Sequence, residues 1–207
     1  QDGMVLGLGT GRTTASFIEL LGLRIKQGGL KDIRGVPTSQ ATEAQALRLG
    51  IPLVSLGDTP QLDLAVDGAD EVDPQLNLIK GLGRALLREK FVEVHAKKLL
   101  IVVDEGKLVN RLGEKVPLPV EIIRFEYQAT INWLNTLGCQ AEFWTEPDGA
   151  PVITDNGNYL ARCYFKEGIP NVCALAQALA NRPGIVEHGL FLDMASEVVV
   201  AGIHGIQ

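Results

Sequence analysis

The sequence predicts an α/β protein in two parts, a parallel β-sheet covered by helices and a smaller α+β unit. Short apolar runs alternate with longer stretches of helical spacing over the first half of the 207 residues. These runs are apolar throughout, not at every second residue, as expected for strands buried on both faces of a parallel sheet. After Leu118-Pro119 the pattern changes to short strands grouped around two helices, which is typical of an α+β unit.

The first part is predicted from strand and helix signals that follow one another along the chain. An apolar strand over Met4–Leu8 leads into Gly9-Thr10-Gly11, and a helix with one apolar face follows over residues 13–25. Ser39 offers an N-cap for a second helix, which ends near Gly50, the expected C′ glycine. The remaining predicted elements of this part are strands over 33–37, 52–56, 62–66 and 99–103 and a helix over 84–97.

The second part is predicted to contain two βαβ-like halves, which indicates a ferredoxin-like unit. Its predicted elements are strands over 120–123, 140–144, 151–154, 159–165 and 184–191 and helices over 127–137 and 172–180, with Pro147-Asp148-Gly149 as a turn. A last apolar strand, 197–201, is expected to return to the first sheet. We therefore expect a Rossmann-like catalytic domain of residues 1–119 plus 193–207 and a ferredoxin-like domain of residues 120–192.

Composition excludes several classes of protein. A net charge of −6 excludes a broadly basic nucleic-acid-binding surface. No apolar run approaches the roughly 18 residues of a membrane helix. The 3 cysteines form no C-x-x-C spacing, which argues against a disulfide framework or a zinc site and fits a reducing compartment. We expect a cytoplasmic protein without nucleic-acid or membrane partners. Because the chain opens on Gln1 just before the first strand, we also expect a preceding helix in the natural protein.

Ligands of an open parallel sheet bind beyond the carboxyl ends of its strands, so polar residues that follow strands are candidates for a site. The first group is Gly7 to Thr14, where glycines admit an anion to the backbone and threonine hydroxyls can donate to it. A dinucleotide-binding loop would have glycine at position 12 and an acid after the next strand, but the chain has Arg12 and Gly35-Val36-Pro37. The loop favours phosphate over NAD; a tight turn without a ligand stays open. Its candidate contacts are Thr10, Gly11, Arg12 and Thr13.

The second group is the acidic segment Asp67-Gly68-Ala69-Asp70-Glu71-Val72-Asp73, which follows the strand 62–66. Carboxylates packed this closely repel one another unless a ligand or hydrogen-bond donors stabilise them. Three explanations stay open. The segment is a helix cap or a solvated loop, or Asp67 and Asp70 bind hydroxyls or transfer protons, or it binds Mg²⁺, for which no second acidic cluster is visible.

The third group combines a lysine, a glycine-containing turn and a helix that carries a glutamate. Lys80 precedes Gly81, Leu82 and Gly83, and Glu89 follows on the helix. Apolar neighbours on both sides of Glu89 would desolvate its carboxylate and favour a general base, whereas the alternative is an ordinary exposed helix glutamate. A weaker candidate is Lys107, after the strand 99–103.

Taken in order, these motifs resemble the type A family of ribose-5-phosphate isomerases, and the similarity extends over nearly the whole chain. The segments that carry the resemblance are Gly7-Leu8-Gly9-Thr10-Gly11, Gly35-Val36-Pro37-Thr38-Ser39, Val66-Asp67-Gly68-Ala69-Asp70-Glu71, Lys80 to Lys90, Pro117-Leu118-Pro119-Val120-Glu121, Thr154-Asp155-Asn156-Gly157-Asn158 and Gly184 to Phe191. The resemblance implies interconversion of D-ribose 5-phosphate and D-ribulose 5-phosphate in the non-oxidative pentose phosphate pathway, without a metal or other cofactor. It also implies a homodimer or homotetramer, whose contacts we expect in the ferredoxin-like domain.

The resemblance further implies roles for the candidate residues. Glu89 would be the general base that moves a proton between C2 and C1 through an enediolate. Asp67 and Asp70, with Gly68 and Ala69 between them, would bind sugar hydroxyls and assist ring opening. Lys80 and the turn 81–83 would stabilise the oxyanion. Residues 10–13 would cradle the phosphate, and Lys107 would complete the substrate site.

Two positions depart from the family pattern, and two other functions compete with the isomerase. Arg12 stands where a small hydroxyl residue is usual, and Leu82 interrupts a run of glycines. A non-catalytic sugar-phosphate sensor on the same type of fold would keep the phosphate loop but need no base, so Glu89 favours the enzyme. An acyl- or CoA-transferase relative would need a nucleotide site, whereas the closely spaced Asp67 and Asp70 favour a sugar.

Overall fold

Residues 1–203 and 205–206 are described by a computed structural model. The chain divides into two compact units. The first comprises Gln1–Gly68, Arg88–Gly106 and Met194–Gln207, and the second comprises Ala69–Leu87 and Lys107–Asp193. The second unit thus includes residues 69–87 and 107–119, which the sequence analysis assigned to the first domain. Strands in these two segments pair with strands of residues 159–191, and for that reason they belong to the second unit.

Strands and α-helices alternate through the first half of the chain and continue as shorter elements in the second. The strands are β1 (Val5–Leu8), β2 (Arg34–Pro37), β3 (Leu64–Asp67), β4 (Glu71–Val72), β5 (Leu78–Ile79), β6 (Leu99–Asp104), β7 (Leu118–Ile122), β8 (Gln140–Phe143), β9 (Tyr159–Tyr164), β10 (Ile185–His188), β11 (Leu190–Phe191), β12 (Glu197–Gly202) and β13 (Gly205–Ile206). The α-helices are α1 (Arg12–Lys26), α2 (Gln40–Arg48), α3 (Leu86–Glu93), α4 (Tyr127–Leu134) and α5 (Val172–Ala180), and short 3-10 turns cover Glu105–Lys107 and Asn135–Leu137.

The first unit is built on a six-stranded sheet in the order β13-β12-β6-β3-β1-β2. Its strands are parallel except β13, which pairs antiparallel with β12. Alternate residues of β1 enter two different apolar clusters, Leu6 and Leu8 with α1 and α2, and Val5 with Val92 of α3. Because side chains of a strand alternate between faces, the sheet is covered on both sides, as predicted. The pairing of β12 with β6 confirms that the last apolar strand returns to this sheet.

The second unit contains an antiparallel sheet in the order β10-β7-β9-β8 and a three-stranded sheet in the order β11-β5-β4. The chain order β7-α4-β8-β9-α5-β10 is that of a ferredoxin-like unit, so the predicted fold class is confirmed. A large apolar cluster joins the four-stranded sheet to α4 and α5. Among the described residues no helix has both the length and the apolar character needed to span a membrane.

Several predicted elements differ from the structure. Residues 52–56 and 151–154 are not strands but form isolated bridges, at Leu53 in the first run and at Pro151 and Ile153 in the second. The run 184–191 divides into two strands, β10 and β11, that belong to different sheets. Helix α3 begins two residues later than predicted and ends four residues earlier, since His95 and Lys97 instead hydrogen bond with Leu62.

Candidate active site

The loop after β1 passes so close to β3 that one of its positions has room only for glycine. A Cβ atom at Gly9 would lie 2.2 Å from Cγ of Asp67 and 2.6 Å from the backbone oxygen of Val66. The Gly9 N–H donates to that oxygen over 3.0 Å, and the Thr10 N–H donates to Oδ1 of Asp67 over 3.1 Å. The ends of β1 and β3 are therefore joined through backbone atoms and one carboxylate.

Thr10 is the centre of a cluster of hydroxyl groups. Its Oγ1 lies 2.7 Å from Oγ1 of Thr38, 2.8 Å from Oγ of Ser39 and 3.2 Å from Oγ1 of Thr42. Thr42 Oγ1 also donates to the Gly9 carbonyl oxygen over 2.9 Å. Ser39 is the predicted N-cap of α2 and accepts from the Thr42 N–H. Sequence reasoning assigned Thr38 and Ser39 no part in the site and missed Thr42, although Thr38-Ser39 lies in one of the segments that carry the family resemblance.

The N-terminus of α1 follows this cluster directly. Gly11, with φ of 127°, precedes the helix, and within the described chain no side-chain hydrogen bond caps it. Gly11, Arg12 and Thr13 are exposed. The first turn of a helix carries backbone N–H groups without intrahelical partners and the positive end of the helix dipole. An exposed arginine beside such a turn suits an anionic ligand.

Asp67 ends β3 with a carboxyl group that is shielded from solvent, the residue being 1% exposed. Its Oδ1 accepts the N–H groups of Thr10 and of Gly68, the latter over 2.7 Å. These two donors fix the orientation of the carboxylate at the carboxyl end of the strand. Gly68 and Ala69 are half-buried, and the chain passes from the first unit to the second between them.

Glu89 is buried on α3, at the level of the strand ends. Within the first unit, Val92 lies against Gly7, where an added Cβ would be 3.2 Å from the valine Cγ1. The chain after the helix lies beside the start of β3, because Leu62 N–H donates to His95 O over 2.8 Å. The helix therefore runs antiparallel to the strands, and Glu89, one turn before Glu93, lies toward their carboxyl ends. Both glutamates are 3% exposed, so Glu89 is not an ordinary exposed helix glutamate.

The second unit places Lys80 in an equally enclosed position. The residue is 2% exposed, its N–H donates to Gly189 O over 2.9 Å, and its Nζ lies 5.4 Å from the centroid of the Phe191 ring. Gly81 has φ of 107°, and a Cβ there would lie 2.8 Å from Leu86 Cβ. Asp70 Oδ2 accepts the Leu82 N–H over 2.9 Å, which ties the acidic segment to the turn after the lysine. The turn continues through the exposed Gly83.

The other two acids of the segment 67–73 have structural hydrogen bonds. Glu71 is buried and accepts the backbone N–H groups of Gly113, Lys115 and Val116. Asp73 accepts from residues 75 and 77, as a turn cap does. The segment is thus neither a helix cap nor a solvated loop as a whole, and backbone donors account for Glu71 and Asp73.

Lys107 is half-buried in the 3-10 turn Glu105–Lys107 of the second unit. Over residues 1–203 and 205–206, no group of three or more His, Cys, Asp or Glu side chains is placed to hold a metal ion. The candidate residues themselves supply carboxylates, a lysine ammonium and hydroxyl groups. Buried carboxylates can accept and return protons, and a buried ammonium can stabilise a developing oxyanion.

Comparison with known proteins identifies the family. The family model of ribose 5-phosphate isomerase A (phosphoriboisomerase A) matches residues 34–205. Ribose-5-phosphate isomerase A of Synechococcus sp. (strain JA-3-3Ab) is 49% identical over 208 residues, which cover 100% of this chain and 90% of that protein. The Thermococcus kodakarensis protein of the same name is 45% identical over 209 residues, with the same two coverages of 100% and 90%.

A solved structure gives the same answer for the fold. D-ribose-5-phosphate isomerase in complex with phospho-erythronic acid superposes with a TM-score of 0.96 at 44% identity, over 100% of this chain and 90% of that chain. The family model covers most of the chain, and relatives that match it over its full length are nearly half identical to it. Both findings identify the same family. The chain belongs to the ribose 5-phosphate isomerase A family.

Proposed function

We propose that this protein interconverts D-ribose 5-phosphate and D-ribulose 5-phosphate, as its family membership implies. The observation that carries the proposal is the burial of Glu89, 3% exposed, at the level of the carboxyl ends of β1 and β3. An aldose–ketose isomerisation needs one base that is shielded from water and can move a proton between adjacent carbons. Glu89 has that environment.

In the proposed reaction Glu89 removes the proton from C2 of the open-chain aldose. The electron pair of the broken C–H bond forms the C1–C2 double bond of an enediolate, and the carbonyl oxygen becomes an oxyanion. A proton then passes from the C2 hydroxyl to O1, which moves the negative charge to O2. Glu89 returns its proton to C1 as the C2 carbonyl forms, which gives the ketose. Lys80 and the turn of Gly81, Leu82 and Gly83 stabilise the oxyanion, because fixed donors in a water-excluded site act where charge develops. The donors of the turn are the Gly81 and Gly83 N–H groups, since the Leu82 N–H donates to Asp70.

The remaining candidate residues bind the rest of the sugar phosphate. Asp67 and Asp70 accept hydrogen bonds from sugar hydroxyls and assist ring opening, and Gly68 and Ala69 give the substrate access to the backbone between them. Residues 10–13, at the N-terminus of α1, bind the phosphate, and Arg12 and Lys107 add positive charge. The exposed amides of the first turn of α1 support this assignment.

The non-catalytic sensor is the weaker hypothesis for this chain. A sensor needs no base, whereas Glu89 supplies a carboxylate that is shielded from water, as a general base requires. The relatives that cover the full chain are named as isomerases, which supports catalysis.

The proposal also covers the location, assembly and pathway of the protein. We infer a cytoplasmic enzyme of the non-oxidative pentose phosphate pathway that acts as a homodimer or homotetramer. The three cysteines are free thiols, which supports a reducing compartment. Exposed apolar side chains of the second unit, among them Phe125 at 77% exposure, support subunit contacts there.

The proposal is tested by measuring ketose formation from ribose 5-phosphate in the presence of EDTA. We expect activity that survives the chelator and falls at least ~10²-fold in kcat for Glu89→Gln, the scale of a lost general base. The matched control is Glu93→Gln, which removes an equally buried carboxylate one turn farther from the strand ends. Wild-type turnover in Glu89→Gln, or an equal loss in both variants, would remove Glu89 from the mechanism.

A further inference from the structure

Arg84 adopts a backbone conformation that side-chain-bearing residues rarely take. It lies between the lysine-bearing turn and α3, and its φ is 69°. The Arg84 N–H donates to Gly81 O over 2.9 Å, which closes the turn that begins at Lys80. A residue other than glycine persists in the left-handed region where contacts of its side chain or its surroundings hold it. The contacts of the Arg84 side chain therefore need an explanation.

The Arg84 side chain makes a two-pronged ion pair and an aromatic contact. Nη1 lies 2.5 Å from Oε1 of Glu146 and Nη2 lies 3.1 Å from Oε2. Its Cζ lies 5.5 Å from the ring centroid of Trp144. Guanidinium geometry matches both contacts, since the planar fork pairs with a carboxylate and its face stacks on an aromatic ring. Arg84 is thus tied to the segment that follows β8.

Leu82 anchors the same turn from its other side. It packs against the apolar cluster of Leu86, Trp144, Val152 and Leu160, while its N–H donates to Asp70. Leu82 interrupts the glycines of this turn, and Arg84 follows them. Trp144 thus belongs to the cluster that receives Leu82 and also lies against the Arg84 guanidinium. Arg162 lies 5.2 Å from the centroid of the same ring.

We propose that Leu82 and Arg84 are positioning residues that lock the turn 80–84 onto Trp144 and Glu146. The inference rests on the proposed function, in which Lys80 and the amides of Gly81 and Gly83 stabilise the oxyanion. Gly81 and Gly83 give this turn more freedom than other residues would. A donor that is displaced by about 1 Å costs rate on the order of 10²-fold, so the two anchors would act on kcat.

The locking contacts predict an effect on turnover and not on substrate affinity. In Arg84→Ala we expect kcat to fall on the order of tenfold, with KM changed by less than about twofold, because the phosphate contacts lie in the first unit. Glu146→Gln should give a similar loss in kcat although it replaces no residue of the turn. The double variant should be no worse than the single variants, because both remove one interaction. Arg84→Lys should recover part of the loss, since an ammonium keeps the charge but not the fork.

The matched control is Arg48→Ala, which removes another exposed arginine–glutamate pair with the same 2.5 Å contact, from Arg48 to Glu19. It should leave kcat unchanged. Hydrogen exchange of the amides of residues 81–84 provides a readout that needs no substrate. It should be faster in Arg84→Ala and Glu146→Gln than in wild type.

The outcomes separate the two proposals. If the wild-type protein is inactive and exchange is faster in the variants, the isomerase proposal is refuted, but the proposal that Leu82 and Arg84 hold the turn in place is supported. If the wild-type protein is active but Arg84→Ala and Glu146→Gln leave kcat or exchange unchanged, only the proposal that Leu82 and Arg84 hold the turn is refuted. A loss confined to KM, or an equal loss in Arg48→Ala, would also overturn it.

Discussion

The two glycine-containing loops that carry candidate residues, one in each unit, are held in opposite ways. In the loop after β1, Gly9 fits against Asp67 because it has no side chain, and the neighbouring contacts are backbone and hydroxyl groups. In the turn after Lys80, the side chains of Leu82 and Arg84 provide the contacts. Glycine in a loop therefore marks close backbone approach in one case and a turn that needs external anchors in the other.

The two loops also differ in how water and salt reach their contacts. The hydroxyl cluster contains Thr38, Ser39 and Thr42, which are buried, so its hydrogen bonds are sheltered. The ion pair of Arg84 and Glu146 is partly exposed, with side-chain exposures of 42% and 37%. Exposed pairs contribute little to stability and are screened by salt. We therefore expect changes in the first loop to affect folding and binding, and changes in the second to affect turnover.

The largest effect is expected for Gly9→Ala. A Cβ at 2.2 Å from Asp67 Cγ and 2.6 Å from Val66 O cannot be accommodated by a side-chain rotation alone. Overpacking of this kind costs about 1–3 kcal/mol, and displacement of Asp67, which is proposed to bind sugar hydroxyls, should raise KM sharply. Urea unfolding and the isomerase assay would show both effects. Gly57→Ala, whose nearest atom would be Ser55 Oγ at 3.5 Å, is the control and should behave as wild type.

Next in size is Leu82→Gly, which restores an unbroken run of glycines. If glycine alone shaped this turn, the variant would be neutral or faster. Loss of the packing on Trp144 and the added backbone freedom should instead lower kcat several-fold and cost about 1 kcal/mol of stability. Steady-state kinetics and thermal unfolding of the variant would measure both effects. An increase in kcat would show that side chains are not needed to shape the turn after Lys80.

Thr42→Val tests the hydroxyl cluster with little change in side-chain volume. It removes the bond to Gly9 O and the contacts with Thr10 and Ser39. We expect about 1–2 kcal/mol of lost stability, and a KM that rises more than kcat falls. Substrate-concentration series on both variants, Thr42→Val and Leu82→Gly, would compare the loops directly. A Thr42→Val enzyme with normal KM and reduced kcat would contradict the division of roles.

The smallest effect is expected at Asp63, outside both loops. A hydrogen bond from Lys97, with the Val5 N–H, lowers the pKa of Asp63. A lowered pKa means that the stabilisation is present above the unfolded-state value, near 3.9, and is lost as pH falls through the folded-state value. Asp63→Asn should cost less than about 1 kcal/mol at pH 7, nothing in strong acid, and leave kcat unchanged. Urea unfolding at several pH values would measure the free energy of unfolding of both proteins. A difference between them that persists in strong acid would contradict the prediction.

Local patterns predicted most of the fold. The bounds of α5 agree with the predicted 172–180, and Ser39 caps α2 as expected. The strands that the patterns missed are β4, β5 and β13, which have two residues each and carry no periodicity. Helix α3 was predicted to include Arg84, because helical spacing cannot reveal a left-handed residue that a distant carboxylate holds.

For the candidate site, too, the sequence predicts some features and only the packed structure shows the others. The sheet class, the order of the loops and the family follow from the amino-acid sequence alone, since these depend on residues that are neighbours in the chain. The packed structure was needed to show that Glu71 binds amides near residue 113, that Thr42 completes the hydroxyl cluster and that Trp144 receives Leu82 and Arg84. Each of those contacts joins segments that are far apart in the chain. Their pairing depends on how the sheets and helices pack, which periodicity does not encode.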